Sequence, residues 1–269
     1  MLISKKIPQV MVGGFPTVSV SRHELAERMA QDCLEARQSK DSWQPKVVLS
    51  SNGQGIALAG TDPAFMEIMH QADIVHADGM SVVFASRLTR HPLPERIATT
   101  DFFHDAAAAA IRHGLSFFIL GSNEAQNQAA VQAITKLYPE LKIAGRRHGY
   151  FTEADDAAVC AEIRASGADV LWVALGKPKQ EFWSVRNRDR LQGVGWIKTC
   201  GGLYAFLAGD ALRAPGWMQV LGLEWLHRGL KEPSRLGWRY LTTNPYALYR
   251  LLRFTEMSRV VKTKEVDCS

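Results

Sequence analysis

The chain has 269 residues, of which 46% are hydrophobic, and it carries a formal net charge of +5. This length allows one large or two modest domains with a substantial buried core. The four cysteines are scattered without CxxC spacing, which excludes a disulfide framework or a zinc ribbon and favours a reducing cytoplasm. No apolar run is long enough for a signal peptide or a membrane span, so we expect neither.

Short apolar runs bounded by turn residues alternate with segments of helical periodicity. An amino-terminal segment, 10–20, predicts a hairpin. The apolar runs predict strands at 46–49, 74–76, 115–120, 141–144, 170–175 and 194–199. The periodic segments predict helices at 22–37, 63–71, 81–88, 102–112, 124–138, 153–165 and 179–190. This alternation predicts an α/β, Rossmann-like fold with a largely parallel sheet and helices on both faces.

The segment 210–269 differs from the rest of the chain. From residue 211 onward, ten Lys and Arg stand against five Asp and Glu, so this segment carries the whole net charge. Its X-Pro pairs interrupt the segment, which is predicted to form three short helices between them. The last of these, at 245–254, is predicted to place Leu248, Leu251 and Leu252 on one side, with Arg250 and Arg253 towards the other. We therefore predict an α/β domain at 1–209 and a basic, aromatic helical appendage at 210–269 that docks on it.

The charge of the appendage has two explanations, and the sequence leaves both open. Cations interleaved with aromatic residues are typical of a segment that meets an anionic surface or a diphosphate. Alternatively, arginine stems cover the core while their charged ends reach water. Trp225, in an apolar run, favours a core or membrane contact over a platform for a sugar.

Polar, glycine-punctuated loops follow the predicted strands, where ligands of such sheets bind. The chain has neither a GxGxxG nor a Walker A pattern, which removes the usual support for a dinucleotide or NTP site. It also lacks Asp-X-Asp, so a departing diphosphate would need protein cations and no metal. Arginine suits that role because its planar fork binds phosphate with two hydrogen bonds.

Asp78 is the candidate base. It follows a short apolar strand and precedes Gly79, which allows the sharp turn that would aim a carboxylate into the cleft. The alternative is that Asp78 caps the helix predicted to begin at Ser81. No cofactor and no metal site is predicted from the residues.

The loop 176–181 adds three further candidates. Glu181 is either catalytic or a partner of the helix dipole. Lys177 and Lys179 either hold phosphate or are solvated.

Several short motifs follow one another along the chain in a recognisable order and spacing. They are Ser50-Ser51-Asn52, Ala77-Asp78-Gly79, Glu95-Arg96-Ile97 with Thr100-Asp101, Gly149-Tyr150-Phe151, Gly176-Lys177-Pro178-Lys179-Gln180-Glu181, Arg213-Ala214-Pro215, Gly222-Leu223-Glu224-Trp225-Leu226-His227-Arg228, Glu232-Pro233-Ser234-Arg235 and Arg239-Tyr240. On these motifs, the chain from about 10 to 249 resembles the WecG/TagA/CpsF family of bacterial glycosyltransferases.

The resemblance implies an inverting, metal-independent transfer of a sugar from a UDP-sugar to a polyprenyl-diphosphate-linked sugar. It implies a cytoplasmic protein, attached peripherally to the anionic inner face of the bacterial membrane, with no nucleic acid partner and with a homo-oligomer left open. The residue roles that it implies are a base at Asp78, donor contacts at Ser50, Asn52, Arg96 and Gln180, substrate contact at the Asp101 motif, and diphosphate contacts at Arg213, Arg228, Arg235 and Arg239.

The resemblance gives only a slight preference among donors. The stretch 199–204 is similar to family members of exopolysaccharide pathways, which favours UDP-glucose. The alternatives are UDP-N-acetylmannosamine, its uronic acid, or a non-catalytic role in polysaccharide assembly. Many members carry Gly where this chain has Thr99, and a β-branched residue is poorly suited to φ > 0, so we expect the loop there to run differently.

Overall fold

The structure, a computed structural model, describes residues 7–39, 42–231 and 237–256. The strands are Gln9–Val12 (β1), Phe15–Val18 (β2), Lys46–Ser51 (β3), Ile74–Ala77 (β4), Ser116–Gly121 (β5), Lys142–Arg147 (β6), Val170–Ala174 (β7) and Trp196–Thr199 (β8). Strands β1 and β2 form the predicted antiparallel hairpin. The other six form one parallel sheet in the order β4-β3-β8-β7-β5-β6. The predicted α/β, Rossmann-like fold is confirmed.

Helices cover both faces of the sheet. Those of the body are Arg22–Ser39 (α1), Gly53–Thr61 (α2), Pro63–His70 (α3), Met80–Ser86 (α4), Thr99–His113 (α5), Glu124–Leu137 (α6), Asp156–Ala165 (α7), Lys179–Arg186 (α8) and Leu203–Leu207 (α9). Because successive strand residues point to opposite faces, each strand feeds two cores. One core packs under α1, α5, α6 and α9 around Trp172 and Trp196. The other packs under α2, α3, α4, α7 and α8 around Leu49 and Val173.

Helix α2 is absent from the sequence prediction. Its sequence contains three glycines, which lower helix propensity by about 1 kcal/mol each relative to alanine. The helix forms because Asn52 caps it, with Oδ1 accepting from the Gly55 N–H at 3.0 Å, and because Ile56 and Ala57 are buried. Capping and burial here outweigh intrinsic propensity.

The described part of the appendage contains three further helices, Gly216–Val220 (α10), Glu224–Lys231 (α11) and Trp238–Arg253 (α12). The three predicted helices are thus present, but α12 begins seven residues before Pro245, where the sequence predicted its start. It packs on α2: Tyr246 donates a hydrogen bond through its hydroxyl to the Gly60 carbonyl at 3.0 Å. Ala247 and Leu251 enter the core of that face. The appendage therefore docks on the body.

The predicted faces of the last helix are wrong. Leu251 and Arg250 face the body and are buried, whereas Leu248 and Leu252 are more than half exposed. A Cβ at Gly60 would lie 2.6 Å from the Arg250 Cδ, so this glycine provides the space that admits the arginine stem. The guanidinium lies 4.6 Å from the ring centre of Phe254. The core-covering explanation therefore applies to Arg250.

Candidate functional site

The carboxyl ends of β3, β4, β7 and β8 converge on one cleft. Asn52 follows β3, Asp78 follows β4, and the loop to α8 follows β7. Ligands of open α/β sheets bind at this edge. The strand order therefore brings together residues that are more than 120 positions apart in the chain.

Asp78 is held by backbone groups on both sides. Its N–H donates to the Ser51 carbonyl at 2.9 Å, and its Oδ1 accepts from the Thr99 N–H at 2.9 Å. Its Oδ2 lies 3.4 Å from Asn52 Nδ2, a long contact that leaves this oxygen able to accept a further hydrogen bond. The predicted alternative, a cap on the helix after Gly79, is wrong, because α4 receives no side-chain cap.

Thr99 lies at the start of α5, where its backbone N–H reaches Asp78. It is the first residue of α5, so its N–H has no partner within the helix and is free for Asp78. Among the described residues other than glycine, only Ser122 has a positive φ. Thr99 therefore has no positive φ, and the expectation that this loop runs differently from that of members with Gly stays a prediction.

A buried cluster forms the floor of the cleft beside Asn52. Lys177 pairs with Glu181 at 2.9 Å and donates to the carbonyl of the buried Ser50 at 3.4 Å. The Lys177 side chain is only 9% exposed, so the solvated alternative is wrong for this lysine. Glu181 is fully buried and paired with an ammonium, which distinguishes it from a surface partner of the helix dipole. Its second oxygen, Oε2, has no hydrogen-bond partner among the residues that the structure describes.

Gln180 links the two loops that border this cluster. Its Oε1 accepts from the Gly201 N–H at 3.0 Å, and its Nε2 donates to Glu181 at 3.0 Å. Because the side chain is buried, these contacts fix the start of α8 against the end of β8. Lys179, in contrast, is exposed and lies with its ammonium 5.5 Å from the ring centre of Phe151.

Arg96 connects the cleft to the appendage. Its Nε donates to the Asp78 carbonyl at 2.7 Å, and its Nη2 pairs with Glu224 at 2.6 Å. The other oxygen of Glu224 lies 3.5 Å from Arg213 Nε, and Arg213 also pairs with Asp101. A row of alternating charge therefore runs from the backbone carbonyl of Asp78 to the first turn of α5, through the four side chains of Arg96, Glu224, Arg213 and Asp101.

The remaining predicted arginines cannot be placed. Arg235 lies outside the described residues, as do the side chains of Arg228 and Arg239. Of the four predicted diphosphate contacts in the appendage, only Arg213 is therefore placed.

Three residues next to the cleft were not among the site residues predicted from the sequence. Lys198 in β8 is fully buried, donates only to the Thr199 carbonyl among the described hydrogen bonds, and has a pKa that burial lowers to about 8. Burial holds the pKa of His76 well below its usual value, and the ring bonds the Ile97 carbonyl at 3.0 Å. Glu224 was quoted only as part of a motif. A charged residue inside a predicted apolar strand was the available signal for Lys198.

A second cleft, of about 490 Å³, continues along the same edge of the sheet. Its lining residues include Ser122, Tyr150, Phe151 and Lys179. It lies at the ends of β5, β6 and β7, beside the loop that carries Gln180.

The appendage exposes an unusual amount of apolar surface. Trp217 is 61% exposed and Leu248 is 57% exposed. Trp225, expected in the core or at a membrane, is also exposed, and its ring meets Tyr240 edge-on at 5.7 Å. The other large apolar side chains exposed here are Leu212, Val220, Leu221, Leu226, Leu230, Leu241, Tyr249, Leu252 and Phe254. Where exposed apolar side chains of this size lie together, they mark interaction surfaces.

The described residues contain neither a metal-binding cluster nor a membrane-spanning helix. No group of three or more His, Cys, Asp or Glu side chains is arranged to hold a metal ion within 7–39, 42–231 and 237–256. Over the same ranges, no helix combines the length and the apolarity that crossing a bilayer requires.

Comparison with known proteins decides the class. The model of the glycosyl transferase WecG/TagA/CpsF family matches residues 10–259. The chain belongs to this family. It is therefore a glycosyltransferase, as the resemblance implied.

Named relatives of this glycosyltransferase come from Staphylococcus aureus. The protein of strain MW2 is 29% identical over 206 residues, which cover 77% of this chain and 79% of the relative. The protein of strain NCTC 8325 / PS 47 matches with the same identity and coverage. Both are named N-acetylglucosaminyldiphosphoundecaprenol N-acetyl-beta-D-mannosaminyltransferase.

Proposed function

We propose that this glycosyltransferase moves a sugar from a UDP-sugar to a polyprenyl-diphosphate-linked sugar, with inversion and without a metal. The position of Asp78 carries this proposal. The Asp78 carboxylate lies at the carboxyl end of β4 and is oriented by contacts with Thr99 and Asn52. Arg96 donates a hydrogen bond to the backbone carbonyl of the same residue. A fixed carboxylate beside a fixed cation is what a displacement at a glycosyl diphosphate requires.

In the proposed step, the acceptor hydroxyl attacks the anomeric carbon of the donor. Its oxygen forms the new glycosidic bond while the bond from that carbon to the diphosphate oxygen breaks. The hydroxyl proton passes to Asp78 Oδ2, and UDP leaves with the bonding electron pair. Attack on the face opposite the leaving group inverts the anomeric carbon.

The departing diphosphate needs positive charge. Arg96 and Arg213 are the candidates, because their guanidinium groups lie together on the Asp78 side of the appendage. Lys177 lies deeper and is neutralised by Glu181, so we assign it to the floor of the site. We assign the donor's nucleoside to the neighbouring cleft of about 490 Å³, which offers the Tyr150 and Phe151 rings.

The proposed donor follows the relatives. Their names specify an N-acetylmannosaminyl donor group and an N-acetylglucosaminyl diphosphoundecaprenol acceptor. The expectation of UDP-glucose receives no support from these names, which favour the alternative, UDP-N-acetylmannosamine. We therefore propose that alternative as the donor.

A lipid-linked acceptor requires the protein to meet a membrane. The exposed apolar side chains of the appendage, together with its excess of Lys and Arg, are typical of an interfacial segment. We propose that this appendage surface contacts the anionic inner leaflet and delivers the acceptor to Asp78.

The proposal is tested by incubating the full chain with a panel of UDP-sugars and a short-chain lipid-diphosphate N-acetylglucosamine, followed by mass analysis of the lipid. We expect addition of one N-acetylhexosamine from UDP-N-acetylmannosamine. Addition of a hexose from UDP-glucose would instead support UDP-glucose as the donor. If no sugar were added from any donor, the proposed glycosyl transfer would be contradicted.

A further inference from the structure

Glu224 lies between two arginines at the junction of the appendage and the body. It is the first residue of α11 in the appendage, and its side chain is only 15% exposed. Two arginines from different parts of the fold converge on it, Arg96 at 2.6 Å and Arg213 at 3.5 Å. An ordinary surface ion pair would need one cation only.

Two guanidinium groups around one small anion form an anion site. Arg96 is anchored through Nε on the Asp78 carbonyl, so its free edge points to Glu224 and cannot turn elsewhere without losing that bond. Arg213 is anchored by Asp101. The two anchors fix the cations, and the carboxylate between them stands where an anionic ligand could bind.

We propose that Glu224 is an internal competitor for the diphosphate, and that the ligand displaces it from Arg96 and Arg213. The inference rests on the proposed function and concerns the same site. The Arg96 N–H that donates to Glu224 cannot at the same time hold a phosphate oxygen, so a diphosphate that uses this N–H breaks the pair. Because Glu224 belongs to α11, its release also removes a tie between appendage and body.

This role and a purely structural role predict opposite signs. If Glu224 only braced Arg96, its loss would disorder the arginine and weaken anion binding. If it competes, removal of its charge frees Arg96 from its ion pair and leaves Arg213 paired with Asp101 alone, so the local positive charge rises and anion binding strengthens. A coupling of this kind is typically worth about tenfold in affinity.

The test compares UDP binding to the wild type and to Glu224→Gln by calorimetry at one fixed ionic strength. Glutamine keeps the shape and removes the charge. We expect the dissociation constant to fall by about tenfold in the variant. Equal or weaker binding would overturn the inference. Glu224→Ala carries the same expectation and replaces the glutamine variant should that one not fold.

A matched control is available at the opposite edge of the sheet. Glu27 pairs there with Arg112, on α1 and α5. Glu27→Gln removes the same charge from an arginine pair, and we expect it to leave UDP binding unchanged. If Glu27→Gln strengthened UDP binding to a similar extent, the change in net charge alone would explain the effect, and the inference would be overturned.

A second ligand separates this inference from the proposed function. Inorganic pyrophosphate carries the diphosphate without nucleoside or sugar. If UDP binds neither protein, the proposed donor class fails, and pyrophosphate decides about Glu224. Tighter pyrophosphate binding to Glu224→Gln supports the competitor role, and unchanged or absent binding overturns it.

Discussion

The Oδ1 atom of Asp78 accepts a hydrogen bond from the backbone N–H of Thr99 at 2.9 Å. The donor is the first N–H of α5, which no helical carbonyl can satisfy. The bond orients the carboxylate from the far side of the cleft and leaves Oδ2 for a substrate. A helix start thus supplies the group that fixes the proposed base.

Replacement of Thr99 by proline should remove this bond without harming the helix. Proline lacks the N–H and is favoured at the first helical position, and Ala98 already has the extended backbone that a residue before proline prefers (φ −66, ψ 131). We expect Thr99→Pro to lower kcat by about tenfold or more, because the carboxylate loses its orientation. Thr99→Ala keeps the N–H and should retain most activity. Equal rates in both variants would show that the backbone bond does not contribute.

The sequence predicted the body well because its signals are local. Five of the six strands are buried along most of their length, with β6 at the edge of the sheet as the exception, and the position of the strands between periodic helices predicts a parallel sheet. It failed at α2, whose glycines conceal a helix made by a cap and by burial, and at α12, where packing against Gly60 overrides the signal of Pro245. Both failures depend on contacts between distant segments.

The sequence identified individual residues of the candidate site, but it did not predict the contacts between distant ones. Asp78 and Asn52 were identified by type and position, and the structure brings them together. No local pattern predicts that Glu224 reaches Arg96 across 128 positions of the chain. The roles of the site residues remain predictions until variants are assayed.

Lys198→Met should stabilise the fold at neutral pH. Burial lowers the pKa of Lys198 from 10.5 to about 8, so the unfolded chain binds more protons between these values. The free-energy cost of burying the protonated Lys198 is therefore largest below about pH 8 and disappears as the pH rises through about 10.5. The shift in pKa corresponds to a cost of about 3 kcal/mol in the free energy of unfolding. Urea unfolding at pH 7 and near pH 10 measures it.

The control for this prediction is Lys179→Met, because the Lys179 side chain is exposed. We expect Lys198→Met to exceed the wild type in free energy of unfolding at pH 7 and to lose most of that advantage near pH 10. A variant that is less stable at pH 7 would show that the Thr199 contact outweighs the burial cost.

The exposed face of α12 should be needed for membrane binding. Leu248→Glu with Leu252→Glu places two charges on this face without touching Ala247 or Leu251, which enter the core. We expect vesicles of phosphatidylglycerol and phosphatidylethanolamine to bind the double variant at least about tenfold more weakly. Deletion of the appendage would be a poorer test, because it would expose that core.

Leu137→Glu is the control for the membrane prediction, since Leu137 is exposed on α6 of the body. It should leave vesicle binding unchanged. Transfer to a water-soluble acceptor should be unchanged in both. Unimpaired vesicle binding by the α12 double variant would place the membrane contact elsewhere.

Chelation should leave transfer unaffected. The proposed mechanism neutralises the diphosphate with arginines, so EDTA at millimolar concentration should leave the initial rate within error of the untreated enzyme. A rate that falls with EDTA and recovers with Mg²⁺ or Mn²⁺ would show that a metal shares this task.

The most direct test of the account is the rate of sugar transfer by Asp78→Asn, measured together with its affinity for UDP. Asparagine is nearly isosteric and can still accept the Thr99 hydrogen bond, but it cannot take up the acceptor proton. We predict that transfer falls by about 10²- to 10⁴-fold while UDP binding stays within a few-fold of the wild type. Near-normal transfer by this variant would contradict the assignment of Asp78 as the base.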